Sequence, residues 1–152
     1  MEIKIQRKET NKAYTSGTLS ANGKTVAQYI LEYTQCMLPP GTYQLTMLTD
    51  TVAMHRQLAV VAEDHDTVNA QPHVMAVVMS GNSYRNVMNT PNVVIGEKLI
   101  PGAVINSRKV FERFFDRMEK CVARGESITL CIEGNNLREH KVPMFWLTPR
   151  NK

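Results

Sequence analysis

The side chains best able to do chemistry here are four histidines, His55, His65, His73 and His140, and three cysteines, Cys36, Cys121 and Cys131. A nucleophilic site needs a thiol or hydroxyl beside a base, and a metal site needs ligands at short repeated spacings. Neither pattern is present. An odd cysteine count without paired spacing argues against a disulfide framework or a zinc site and points to free thiols in the core. Ser83 and Ser107 have no base near them in sequence. Glu63, Asp64, His65 and Asp66 offer hard oxygens and one imidazole to a cation, but the stretch reads more simply as a solvated loop. His73, just ahead of an apolar run, reads as a satisfied structural histidine. There is no phosphate-binding loop, dinucleotide fingerprint or serine elbow. The sequence therefore predicts no catalytic set, no metal and no cofactor.

Two turns are better suited to binding. Residues 81–83 and 134–136 are glycine-asparagine turns of the kind that can align backbone amides into an anion nest, although most such turns only reverse the chain. After the first come Tyr84, Arg85 and Asn86, an aromatic face, a cation and an amide. Arg85, with the amides of Gly81, Asn82 and Ser83, is the predicted contact for a negative group.

The elements that must position these loops are mostly strands. Residues 2–7 alternate, with Ile3 and Ile5 on one face. Residues 15–26 read as a hairpin around Asn22 and Gly23, a pair suited to a tight turn in which both residues need positive φ. Its second arm continues through Val26, Tyr29 and Leu31. Pro39, Pro40 and Gly41 launch a strand carrying Tyr43, Leu45 and Met47. Residues 57–62, 74–79 and 92–95 are short apolar runs rich in β-branched residues, suited to buried strands, and 127–133 and 143–147 are two more. The helical spacing of Val110, Phe111, Phe114, Met118, Cys121 and Val122 predicts a helix over about 107–124, with Ser107 as its cap and Gly125 as its terminator. The expected fold is α+β: a mostly antiparallel curved sheet or small barrel with one main helix, in a single domain over 1–152.

The 152 residues are 43% hydrophobic and 21% charged, ordinary proportions that exclude a disordered chain. The net charge is +4. Lys and Arg are densest between Arg108 and Arg124, where Glu112, Asp116 and Glu119 interrupt them, so the segment reads as a solvated helix face. No run resembles a basic arm for nucleic acid, and none approaches the roughly 20 apolar residues of a membrane helix. Residues 1–7 lack the apolar segment of a secretory signal, so a cytoplasmic protein is expected.

Several segments in order resemble one family, the small phage and bacterial domains of domain-of-unknown-function family 5675. They are 18–23 and 29–33, the turn 36–45 around Pro39, Pro40 and Gly41, the strand ending Met79, Ser80, Gly81, Asn82, the strand from Asn92 to Glu97, and Ile105, Asn106, Ser107 leading into the helix and then 128–133. The family's strands usually end in His-x-Gly-Asn and begin in Cys-Ile-Leu-Val-Gly, which is similar to a reduced L,D-transpeptidase site. In such a site a thiolate attacks an acyl carbonyl while an imidazole keeps the thiol ionised. At the matching positions this chain has Met79 and Asn92, with Pro91 ahead of it in place of glycine, and neither can play those parts. The resemblance thus implies a non-catalytic binding or interaction protein, encoded by a phage or mobile element and acting in a bacterial host. Its ligand would be a small anion, such as a nucleotide signal, or a host protein, held around Met79, Gly81, Asn82, Ser83, Tyr84, Arg85, Asn92 and Gly96. The alternatives are a cell-wall acyl-transfer enzyme with a relocated nucleophile, or a virion structural or assembly protein. Homo-oligomers are plausible for a β-rich domain with exposed edges.

Overall fold

Alternation sets the first strand. In the computed structural model, which describes residues 1–50, 55–62 and 73–134, β1 (Glu2–Thr10) buries Ile3 and Ile5 completely. It is followed by β2 (Tyr14–Ala21), and β2 turns into β3 (Lys24–Tyr33) through Asn22 and Gly23, whose φ angles of 49° and 88° fit the expected turn. Next come β4 (Gly41–Asp50), β5 (His55–Ala62), β6 (Ala76–Met79), a one-turn 3-10 helix (Tyr84–Val87), β7 (Val93–Ile100) and β8 (Ala103–Ile105). The chain then forms α1 (Ser107–Ala123) and β9 (Ile128–Glu133).

The strands lie in the order β3-β2-β1-β9-β4-β5-β6-β7-β8, and an additional pairing of β3 with β7 closes the sheet into a ring. Among the described residues seven pairings are antiparallel; β1 with β9 and β6 with β7 are parallel. The expected α+β class, a mostly antiparallel curved sheet with one main helix, is what forms. Ring closure also explains the continuous apolar runs. Ile30 and Ile95 face the main core, while their neighbours Leu31 and Val94 face a smaller cluster with Tyr29, Val87 and Val104.

Helix α1 lays Val110, Phe114, Met118 and Cys121 on the main core, as its spacing predicts. Its C-terminus is also as expected. Gly125 takes a φ of 82°, the Gly125 amide donates to the Val122 carbonyl, and the Glu126 amide donates to that of Cys121.

The N-terminus differs from expectation. Asn106, not Ser107, is the capping residue; it is left-handed (φ 58°) and its side chain makes no capping bond. Ser107 is buried and its hydroxyl is used elsewhere, as described below. Two further features were unforeseen. β8 is a three-residue strand held between β7 and the 81–84 loop, and β7 runs five residues beyond the predicted 95. At residues 63–66 (with His65), 135–136 of the second glycine turn, His140 and the strand 143–147, the expectations fall outside the described residues.

Candidate functional site

The loop after β6 is tied to the start of α1 by one hydroxyl. Ser107 Oγ accepts from the Gly81 amide at 3.0 Å and donates to the Ile95 carbonyl at 2.5 Å, joining loop, β7 and helix. Asn86 then folds the loop over itself. Its Oδ1 accepts from the amides of Asn82 (2.6 Å) and Ser83 (3.0 Å), and Ser83 Oγ accepts from the Arg85 amide. All three amides expected to form an anion nest are thus satisfied inside the protein, which corrects that expectation. A short polar side chain three or four residues downstream competes for such amides, and Asn86 is well placed to do so.

The remaining predicted residues separate. Tyr84 stacks on Tyr14 with ring centroids 5.3 Å apart, and the Arg85 guanidinium lies 6.0 Å from the Tyr84 centroid. Met79 packs half-buried against the smaller core. The parallel register pairs Val78 with Val93 and Met79 with Val94. Asn92 accepts the Val77 amide on its Oδ1 at 2.9 Å, so this side chain is a backbone cap where β6 meets β7. Gly96 is a packing position: a Cβ there would meet Val104 Cβ at 3.0 Å and Ser107 Cα at 3.2 Å, so the glycine lets β8 and the helix come close.

What the fold does bring together is an open groove of about 620 Å3 between this loop and the first turn of α1. Gly81 and Asn82 line it, and so do Asn106, Arg108, Lys109 and Glu112; Met79, Ser83, Tyr84, Arg85, Asn92 and Gly96 do not. Its cations are Arg108 and Lys109, both exposed. The first turn of α1 carries no acidic residue. A helix start is the positive end of the backbone dipole, where acids stabilise and cations destabilise, so this arrangement opposes what helix stability favours. The capping position shows the same neglect, because Asn106 Nδ2 donates to Glu97 Oε1 (3.0 Å) and leaves the helix amides alone. In sequence these residues belong to the mixed-charge segment expected to be a solvated helix face. The available signal was the pair of cations, with no acid, directly after the predicted cap.

Two of the three thiols, Cys121 and Cys131, are not poised for attack. Burial pushes the Cys121 thiol up from its ordinary pKa, and the neighbouring Glu126 pushes the same way. Burial, then Glu133, does this to Cys131. A reactive cysteine needs the opposite shift. His73, expected to be a satisfied structural histidine, is exposed, as is His55. Among the described residues no helix is long and apolar enough to cross a membrane. The chain matches no family model, no curated protein and no solved structure, so the family resemblance rests on the segments quoted for it.

Proposed function

We propose that this chain is a non-catalytic binding protein whose ligand carries a small anionic group, taken up in the groove between Gly81, Asn82 and the start of α1. One observation carries the reading: Arg108 and Lys109 open onto the groove at the positive end of a helix that has no acid in its first turn. Violations of local stability rules are expected at functional or strained sites. A bound phosphate or carboxylate would offset the repulsion between these cations and the helix start, and would gain charge-assisted bonds from them. Asn82 and Gly81 would form the opposite wall. Arg85 is no longer the cation of choice, because it lies outside the groove.

The raised thiol pKa values weigh against an acyl-transfer enzyme that uses Cys121 or Cys131 as its nucleophile. The resemblance to phage and bacterial domains supports an origin in a mobile element and makes nucleotide signals the first ligands to screen. A second reading, a protein partner, is favoured by Leu99 and Ile100 at the β7–β8 turn, 55% and 58% exposed.

Calorimetry with pyrophosphate, nucleotides and cell-wall fragments tests the anion. Binding that weakens about tenfold in Arg108→Ala or Lys109→Ala, near 1.4 kcal/mol each, is expected. No heat from any of these compounds would leave only the protein-partner reading.

A further inference from the structure

The charged segment 108–124 looks mixed in sequence, but the helix sorts it. Residues four apart share a face, so Lys109, Arg113 and Arg117 form one row and Lys120 extends it. The acids fall on the neighbouring row, Glu112 and Asp116, and then Glu119, which is paired with Arg56 of β5. Glu112 lies three residues from Lys109, and Asp116 three from Arg113 and four from Lys120, so the two rows run side by side along the helix. Arg113 overhangs a second groove, of about 330 Å3, walled by Thr25 and Gln28 of β3 and by Glu97 of β7. Glu97 is already engaged by Asn106.

All four cations of the row are exposed, and among the described residues none has a carboxylate within 4.0 Å. Like charges one turn apart cost a helix roughly 0.2–0.5 kcal/mol per pair. Glu112 and Asp116 offset this for Lys109, Arg113 and Lys120, whereas Arg117 has only cations, Arg113 and Lys120, among its charged neighbours one turn away. The row begins at Lys109, on the rim of the first groove. It runs to Lys120 over about 16 Å, at 1.5 Å per residue. That length spans about five phosphates of a stacked single strand at roughly 3.4 Å each. Phe111 and Phe115 pack against the main core, so the row offers charge without stacking platforms.

We infer that the groove anion is the end of a linear phosphate chain, and that Lys109, Arg113, Arg117 and Lys120 hold its following phosphates along the flank of α1. This rests on the groove reading above but reaches beyond it, since Arg117 and Lys120 lie outside the groove. The partner chemistry is a run of phosphodiesters or phosphoanhydrides read by charge and not by base.

The test is fluorescence anisotropy on the full chain with labelled oligonucleotides of about two, six and twelve nucleotides, and with inorganic polyphosphate, across salt concentrations. Affinity should rise with length and level off near six. For five contacts on a single strand, Arg108 with the four of the row, log K should fall with log salt at a slope of about −3.5, and Arg117→Ala with Lys120→Ala should make it shallower by about 1.4. Arg117→Lys with Lys120→Arg should restore it. Lys4→Gln, which removes one unit of charge from a lysine paired with Glu133, should leave it unchanged. Tighter binding of one chain chemistry identifies the source of the phosphates. Pyrophosphate binding with no gain from length overturns this inference and leaves the groove standing. Long chains that respond to the Arg117 and Lys120 changes but not to Arg108→Ala, with pyrophosphate inert, would sink the groove and keep the flank. Poly-glutamate binding as tightly as the phosphate chains overturns the assignment to phosphate.

Discussion

Replacing Ser107 by alanine removes one oxygen and strands two backbone groups. The Gly81 amide loses its acceptor at 3.0 Å, and the Ile95 carbonyl loses a donor at 2.5 Å. Ser107 is 6% exposed, so water does not readily replace it. Each bond is worth about 1 kcal/mol net, and a buried donor left without a partner costs about 1–3 kcal/mol. The expected loss is therefore roughly 2–4 kcal/mol, against about 1 kcal/mol for losing a simple helix cap. Urea denaturation read at constant m-value measures it. The decisive variant is Ser107→Asp. As a cap, aspartate equals serine, and at a helix start its charge adds stability. As a bridge it fails, because a carboxylate cannot donate to the Ile95 carbonyl and would be buried beside it. Ser107→Asp should be less stable than Ser107→Ala. An aspartate variant as stable as the parent protein would refute the bridging role and the account of how the 81–84 loop is held.

Other expectations concern charge. Lys109→Glu should weaken anion binding while raising thermal stability slightly, by about 0.3–1 kcal/mol, because it places an acid at the helix start; equal stability and unchanged calorimetric affinity would contradict both. The buried, bidentate pair of Arg7 with Glu32 lies 3% and 0% exposed, with the Arg7 guanidinium also donating to the Leu38 carbonyl. Glu32→Gln should cost about 3–5 kcal/mol in denaturation, whereas replacing both partners with apolar residues should cost less. The raised thiols of Cys121 and Cys131 favour the protonated folded state. Their contribution is complete below the ordinary thiol value of 9.0 and is lost as pH rises above it, so stability should decline through the alkaline range. The same shifts predict that both label more slowly than a free peptide thiol near neutral pH, and faster labelling of either would revive an enzymatic reading.

Features governed by neighbours in the chain were legible from residue types. The turn at Asn22 and Gly23 is set by which residues tolerate positive φ, and the stop at Gly125 by the same rule. The apolar stripe of α1 and the alternation of β1 follow from helical and strand periods. Even the basic row of α1 is implied by four-residue spacing, once a helix is assigned. Other features required distant partners. The 81–83 turn had the composition of an anion nest, but Asn86 and Ser107 took its amides, and only the folded loop decides between internal and external acceptors. Ser107 had the composition of a cap, yet Gly81 and Ile95 were closer claimants. Met79 ends β6 and Asn92 directly precedes the adjoining β7, but Asn92 is held by Val77.

Local sequence thus determined the strands, the turn and the helix, because each depends on residues a few positions apart. Tertiary structure decided the closed ring, the partners of the polar side chains and the placing of Arg108 and Lys109 against Gly81 and Asn82. Hydrogen-bond donors and charges take whichever partner the folded chain brings nearest, and that partner is some 26 residues away for Ser107 and Gly81.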